Sequence, residues 1–139
     1  MFTPVSMRSA NSYRTVGLET SVSGATPHQL VGLLFDALQQ SLASAKGAIL
    51  SGDIPAKGRS ISRAVRILEE GLKAGLDTER GGELAANLCR LYDFCIIRMT
   101  EANLRNDVAI VDEVIQIIHP VADGWMQIKN DVAVQSYQS

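Results

Sequence analysis

The segment from residue 83 to residue 103 constrains the fold more than any other part of the chain. Gly81 and Gly82 precede it and favour a turn, and no glycine or proline follows them within the segment. With successive residues placed about 100° apart, as in an α-helix, apolar side chains cover most of the circumference. Such a helix needs neighbours on several sides. The segment is therefore predicted to be a central helix around which the others are arranged. Its one polar stripe consists of Glu83, Asn87, Arg90, Phe94, Arg98 and Glu101.

The composition favours a single helical domain without a nucleic-acid or membrane function. The chain has 139 residues, a formal net charge of −2 and only 5% aromatic residues. A nucleic-acid-binding surface would need an excess of basic residues. No apolar run approaches the roughly 20 residues of a membrane-spanning helix, and no signal-peptide pattern begins the chain. We therefore expect a cytoplasmic protein without membrane insertion, in which Cys89 and Cys95 are reduced thiols.

Two further helices are predicted before the central one. Thr26-Pro27 has the residue types of a helix start, because threonine is a good N-cap and proline suits the first helical position. Ser51-Gly52 ends this helix. Asp53 then caps a second helix, whose apolar face repeats at helical spacing. Both helices therefore have one face available for packing against the central helix.

The last helix is predicted to begin after a turn in which Asn106 or Asp107 acts as the cap. Its many β-branched residues recur with a period near 3.6, which indicates a helix rather than a strand. Pro120 removes a backbone donor and predicts a kink. Four amphipathic helices with short turns favour an all-α, antiparallel up-and-down four-helix bundle over residues 26–128.

The two ends of the chain lack a regular period. Residues 1–25 are rich in serine, threonine, glycine and asparagine and are interpreted as a mobile N-terminal arm. The alternative is an arm that docks on the bundle through Tyr13. Residues 129–139 are polar and are predicted to form a flexible C-terminal tail.

The sequence offers no catalytic or metal-binding set. Neither histidine, His28 or His119, follows a glutamate at the spacing found in carboxylate-bridged metal sites. The cysteine and histidine spacings do not fit zinc either. The Gly81-Gly82 pair lacks the lysine and the preceding strand of a phosphate-binding loop. We predict a protein that is not an enzyme and holds no cofactor or metal. A four-helix signalling or phosphotransfer module that uses His119 is the alternative.

Surplus apolar surface and one basic stripe point to a binding role instead. Phe94 lies within the polar stripe of the central helix, and Ile67 lies at the edge of the second helix's apolar face. These positions favour a groove for a partner helix. Burial of both side chains within the bundle is the alternative. Arg59, Arg63 and Arg66 share one side of the second helix, where they form a solvated face or receive an acidic partner.

Several residue runs form a specific pattern when they are taken together. The main runs are Glu79-Arg80-Gly81-Gly82-Glu83-Leu84-Ala85-x-Asn87-Leu88, Leu91-Tyr92-Asp93-Phe94 and Arg98-x-x-x-Ala102-Asn103-Leu104-x-Asn106-Asp107. Shorter runs are Ser12-Tyr13-Arg14, Thr26-Pro27-x-x-Leu30-Val31 and Leu34-Phe35-Asp36. From Tyr13 to Trp125, the chain resembles the flagellar secretion chaperone FliS family.

The resemblance implies a cytoplasmic, non-enzymatic chaperone that needs no nucleotide. Members of the family bind the disordered C-terminal segment of flagellin, which gains helix as it wraps over the bundle. Binding hides the surface through which flagellin polymerises and helps to deliver it to the export gate of the flagellar type III export apparatus. The free protein could also form a homodimer.

The resemblance also implies particular client-binding residues. They are Tyr13, Tyr92, Arg98 and Asn103, to which the residue pattern adds Ile67, Phe94, Arg63 and Arg66. In the family the N-terminal arm covers part of the groove, so Tyr13 is expected to compete with the client. Tyr92 as a core residue and Asn103 as a helix-surface or capping residue remain the alternatives.

Overall fold

The computed structural model describes residues 12–17 and 24–128, and every regular element within them is helical. The four α-helices are α1 at Pro27–Ser51, α2 at Ile54–Arg66, α3 at Gly82–Arg105 and α4 at Val108–Ile128. Helix α2 continues directly into a π-helical segment, π1, at Ile67–Lys73. The predicted all-α fold is confirmed.

The ends of α1 and the start of α2 are set by local caps. The Thr26 hydroxyl accepts a hydrogen bond from the Gln29 backbone N–H at 3.1 Å, and the Gln29 side chain accepts one from the Thr26 N–H at 2.8 Å. This reciprocal pair is a capping box. Gly52 adopts a left-handed conformation at φ 73°, and the Asp53 carboxylate accepts from the Ala56 N–H at 3.0 Å. The predicted boundaries are confirmed.

The two glycines before α3 are required for different reasons. A Cβ atom on Gly81 would collide with the backbone carbonyl of Asp77 and with the side chain of Ala85. Gly82 has a φ of +57°, a conformation that a residue with a side chain rarely adopts, although the space around it is open. The predicted turn at this pair is confirmed, and α3 begins at Gly82.

The turn into α4 assigns separate roles to Asn106 and Asp107. Asn106 ends α3 in the left-handed conformation at φ 53°. The Asp107 carboxylate accepts from the Ala109 N–H at 2.9 Å, so Asp107 caps α4. Helix α4 then continues through Pro120 to Ile128 as one element.

The helices contact one another in a closed ring. Helices α1 and α3 each pack against α2, π1 and α4. These neighbours support the predicted up-and-down order, which remains a prediction. The fully buried core includes Leu34, Leu38, Leu42, Leu68, Met99, Val111, Val114 and Ile118.

The most enclosed helix is α1 rather than α3. Eleven residues of α1 are buried, against five in α3. On α3, Leu84, Ile97 and Leu104 remain 54%, 58% and 83% exposed. The prediction that residues 83–103 form the central helix is therefore wrong, because the bundle leaves part of that apolar circumference facing solvent. Exposed apolar side chains such as Leu84, Ile97 and Leu104 can mark a surface that binds a partner.

Residues 12–17 are a described part of the predicted N-terminal arm. Residues 12–15 form a helical turn, and Tyr13 and Val16 belong to the same buried apolar cluster as the bundle core. This turn therefore packs on the bundle, as in the alternative in which the arm docks through Tyr13. Residues 1–11 and 18–23 of the arm and the whole predicted tail, 129–139, lie outside the described residues.

Candidate partner-binding groove

An apolar groove opens where α1, the end of π1, α3 and α4 meet. Its cavity volume is about 190 Å³, and its walls contain only aliphatic, aromatic, glycine and proline residues. Such a lining can take apolar side chains but offers little for a charged ligand. The lining residues are Val31, Phe35, Gly71, Leu72, Gly75, Leu76, Leu84, Leu88, Tyr92, Pro120, Val121, Gly124, Trp125 and Ile128.

Glycine and the π-helical segment shape two walls of this groove. A Cβ atom added to Gly124 would meet no other atom within 4 Å, so the space beside it is open. Segment π1 ends with a wide turn, in which the Ala74 N–H donates to the Glu69 carbonyl at 3.1 Å. Such π-helical turns often lie at functional sites. Here the segment contributes Leu72 to the wall.

A double hydrogen bond between His28 and Trp125 fixes the indole at the rim. The His28 Nε2 donates to the Trp125 carbonyl at 2.7 Å, because a carbonyl can only accept, and the indole Nε1 donates to the His28 carbonyl at 3.0 Å. The two rings stack with centroids 4.6 Å apart and planes 12° apart. This contact joins the start of α1 to the end of α4. Sequence reasoning missed it, since the two residues are far apart in the chain.

Tyr92 is both a core residue and part of the groove wall. It is buried, and it lines the cavity together with Leu88. Burial raises the pKa of its phenol above the ordinary value, with a smaller contribution from nearby Cys95, so the side chain is neutral at physiological pH. A client side chain entering the groove would meet its neutral ring.

Four of the predicted site residues lie in or beside the 12–17 turn and do not line the groove. Tyr13 belongs to this turn, and the other three, Ile67, Arg63 and Arg66, border a cavity beside Val16. Ile67 is only 1% exposed, so it is a core residue in this structure and not surplus surface. Together with Val16, it lines a second cavity that Arg63 and Arg66 also border. A client contact at Ile67 would require the 12–17 turn to move, and it stays a prediction.

Arg66 holds this turn in place. Its guanidinium donates to the Thr15 carbonyl at 2.8 Å and pairs with Glu70 at 3.0 Å. The Tyr13 hydroxyl is buried and finds no hydrogen-bond partner within residues 12–17 and 24–128. An unpaired buried hydroxyl is costly, which offsets part of the stabilisation from burying the Tyr13 ring.

Three predicted site residues of α3 lie outside the groove lining: Phe94 and Asn103 are exposed, and Arg98 is half-buried. Phe94 is 44% exposed, as expected from its place in the polar stripe. Arg98 ties α3 to α4 through Glu113 at 2.6 Å and also contacts Glu101 at 3.1 Å. The hydrogen bond to Glu113 raises the pKa of this guanidinium further, so it is always charged.

Asn103 faces solvent, and its backbone has a structural role. The buried Lys57 ammonium donates to the Asn103 carbonyl at 3.0 Å and also to the Asn106 side chain. These bonds join the start of α2 to the end of α3. The Asn103 side chain remains available on the surface, and its predicted contact with a client stays a prediction.

Within residues 12–17 and 24–128, no three potential metal-ligating side chains come together. Over the same ranges, none of the helices has the length and apolarity that a bilayer crossing requires. The geometry that remains is an open apolar groove on a small helical bundle. An open apolar groove of this kind can accept apolar side chains from a partner helix.

Comparison with known proteins places this bundle in a family. The family model for the flagellar protein FliS matches residues 9–132. The chain is 44% identical over 124 residues to the flagellar secretion chaperone FliS of Salmonella typhimurium, covering 89% of this chain and 92% of that protein. It is 44% identical over 119 residues to the flagellar secretion chaperone FliSB of Pseudomonas aeruginosa, covering 86% and 94%. The Escherichia coli FliS chaperone is 38% identical over 120 residues, covering 86% and 88%.

The chain belongs to the FliS family, and the predicted resemblance is confirmed. This is a family of flagellar secretion chaperones and not of enzymes. A role in flagellar export follows from the membership, and it favours the chaperone prediction over the signalling module.

Proposed function

We propose that this protein binds the C-terminal segment of flagellin in the cytoplasm, prevents its premature polymerisation and delivers it to the flagellar type III export apparatus. The observation that carries the proposal is the apolar groove beside Tyr92 and Trp125 in a member of this family. The names of the relatives, which are flagellar secretion chaperones, support the same role.

The size of the groove suggests how a client binds. An apolar cavity of about 150 Å³ can hold a benzene molecule, so the 190 Å³ groove accepts one or two apolar side chains rather than a whole helix. The client would insert these anchors and lay the rest of an amphipathic helix over the rim, where Leu84 is 54% exposed. Ordering a disordered segment costs about 1–2 kcal/mol per residue in backbone entropy. Such a client therefore needs several apolar contacts.

The arginines at the 12–17 turn offer a second, weaker contact. Arg63 and Arg66 are exposed and border the cavity beside Val16. Charge reversal at both positions is expected to weaken client binding a few-fold at low salt and hardly at all at high salt, because exposed charges are screened. Unchanged affinity at low ionic strength would remove these arginines from the client site.

The decisive experiment is calorimetric titration with the C-terminal segment of flagellin from the same cell. We expect one-to-one binding, a negative heat-capacity change and a gain of helix measured by circular dichroism. Leu84→Gln should weaken binding, because Leu84 lines the groove and is half exposed. Leu50→Gln is the matched control, since Leu50 is 67% exposed and is not a groove residue.

Two results would count against the proposal. Absence of binding at high peptide concentration would refute flagellin as the client. Equal affinities for Leu84→Gln, Leu50→Gln and the unmodified protein would keep the client but place it outside the groove. Thermal unfolding of each variant shows whether its fold is intact.

Phe94 provides a separate test of the predicted site. Its side chain is 44% exposed, so Phe94→Ala is expected to leave the unfolding temperature nearly unchanged. The sequence-based prediction is that this change also weakens flagellin binding. A large loss of thermal stability would show instead that Phe94 packs as a core residue.

A further inference from the structure

The last two turns of α4 line the groove up to the point where the helix ends. Val121, Trp125 and Ile128 recur at intervals of four and three residues, and all three line the cavity. Helix α4 ends at Ile128, so the chain leaves the helix at the edge of the groove. Residues 129–139, called the tail segment below, therefore start beside the surface that the client is proposed to use.

The composition of the tail segment suits this surface. Its charged residues, one lysine and one aspartate, lie within residues 129–131, and no charged side chain follows them. Val132, Val134 and Tyr137 supply apolar and aromatic side chains in the uncharged part. The groove walls are likewise uncharged and can take apolar side chains. An uncharged segment with a few apolar anchors is the kind of ligand that such walls accept.

The tail segment is long enough to return along the groove. The groove residues of α4 extend from Pro120 to Ile128, which is about 12 Å at the helical rise of 1.5 Å per residue. The segment from 129 to 139 can span up to roughly 36 Å when extended. Asn130 and Asp131 are residue types that favour chain reversals. The groove is therefore within reach of the anchors.

The anchors of the tail segment and those of a client would need the same space. An apolar cavity of about 150 Å³ can hold a benzene molecule, so the 190 Å³ groove has room for the Tyr137 ring or for a pair of valine side chains. The adjoining residues would cover part of the rim, where Leu84 is 54% exposed. Binding of the tail segment and binding of a client anchor therefore exclude each other.

Covalent attachment makes even a weak contact of this kind effective. A short free peptide binds weakly, because its ordering entropy opposes binding. Attachment at Ile128 instead raises the local concentration of the segment to the millimolar range. A segment with a Kd of about 1 mM as a free peptide then occupies the groove for much of the time, which raises the apparent Kd of a competing client a few-fold.

We propose that residues 129–139 of this chain bind in the apolar groove of the same chain when no client is present, with Val132, Val134 and Tyr137 as anchors. The segment covers the open apolar walls, and a client must displace it. The competition with flagellin rests on the proposed function, whereas the contact itself involves this chain alone. The occupant is the tail segment because it starts at the groove and matches its uncharged lining.

Fluorescence of Trp125 tests the contact without any client. Trp125 is the only tryptophan of the chain, and it is half-buried in the groove wall. The tail variant is the full chain with Val132→Ser, Val134→Ser and Tyr137→Ser. Acrylamide should quench its Trp125 emission about twofold more strongly than that of the unmodified protein, because the groove is open for a larger fraction of the time.

A matched variant and a free peptide complete this measurement. Gln135→Ser with Gln138→Ser changes only polar residues of the same segment and should leave the quenching unchanged. A synthetic peptide of residues 129–139, added to the tail variant, should restore the protection of Trp125 with a midpoint of about 1 mM. The same peptide with the three anchors replaced by serine should not. Circular dichroism melts check that each variant is folded.

Calorimetric titration with the flagellin segment tests the competition. The tail variant should bind it about threefold to tenfold more tightly than the unmodified protein, since no tail anchor has to be displaced. The glutamine variant should bind it with unchanged affinity. Absence of flagellin binding by all three proteins, with the difference in quenching still present, would refute the proposed function and leave the tail contact standing.

Three results would overturn the inference. The first is equal quenching of Trp125 in the unmodified protein and the tail variant. The second is a free peptide that gives no protection at about 10 mM. The third is protection of Trp125 that grows with protein concentration, which would place the tail segment in the groove of another copy. Equal quenching with tight flagellin binding would reject the tail contact and retain the proposed function.

Discussion

Replacing Gly124 with leucine should weaken client binding while making the fold more stable. Gly124 lies in α4 and lines the apolar groove, and a Cβ atom built there meets no other atom within 4 Å. The leucine side chain therefore enters the groove without a clash at its first atom. It fills space in a cavity of only about 190 Å³, which is the space that the client's anchor is proposed to use.

The two effects have separate magnitudes. Glycine in a helix is less favourable than alanine or leucine by roughly 0.5–1 kcal/mol, so Gly124→Leu should raise the free energy of unfolding by about that amount. Excluding one apolar side chain of the client loses about 1.5–3 kcal/mol of burial. That loss corresponds to an increase in Kd of about tenfold to a hundredfold.

Calorimetric titration and urea unfolding measure these two quantities. Gly47→Leu is the matched control, because Gly47 lies exposed in α1 and also has open space around it. It should raise stability and leave the affinity unchanged. Gly124→Ala should raise stability with a smaller loss of affinity. Unchanged client affinity in Gly124→Leu, with the fold intact, would refute the assignment of the groove as the client site.

Three further predictions concern the fold. Trp125→Phe keeps a ring against His28 but removes the indole donor, so urea unfolding should show a loss of about 1 kcal/mol. Gly81→Ala should lower the melting temperature more than Gly82→Ala, because the first change collides with a backbone carbonyl, whereas the second strains only the backbone by about 1–2 kcal/mol. Burial, aided by a nearby carboxylate, raises the pKa of the Cys95 thiol to about 11. The unfolded chain ionises this thiol at lower pH, so stability should fall as pH rises from about 9 to about 11, and Cys95→Ala should reduce that slope.

The helix boundaries could be predicted because their signals are local. Thr26 and Asp53 accept hydrogen bonds from backbone groups three residues ahead, and Gly81 is followed within one residue by the start of α3. Each signal depends on residue type and a short spacing, both of which are visible in the sequence. Tertiary packing did not override them.

The relative burial of the helices could not be predicted in the same way. Periodicity identifies an apolar face but not the neighbour that covers it. Helices α1 and α3 both contact α2, π1 and α4, and yet eleven residues of α1 are buried against five of α3. The contact between His28 and Trp125 joins the start of α1 to the end of α4, and no local sequence pattern indicates a pair so far apart in the chain.

The predicted site residues illustrate the same limit. One sequence property predicts both Phe94 and Ile67 as site residues, namely apolar character beyond the needs of a small bundle. Phe94 is exposed, whereas Ile67 is covered in the region where Val16 of the 12–17 turn also packs. The difference depends on a short segment far away in sequence. The groove also depends on open space beside Gly124. The sequence shows a glycine within a predicted helix at this position, but it does not show that the space beside it is empty.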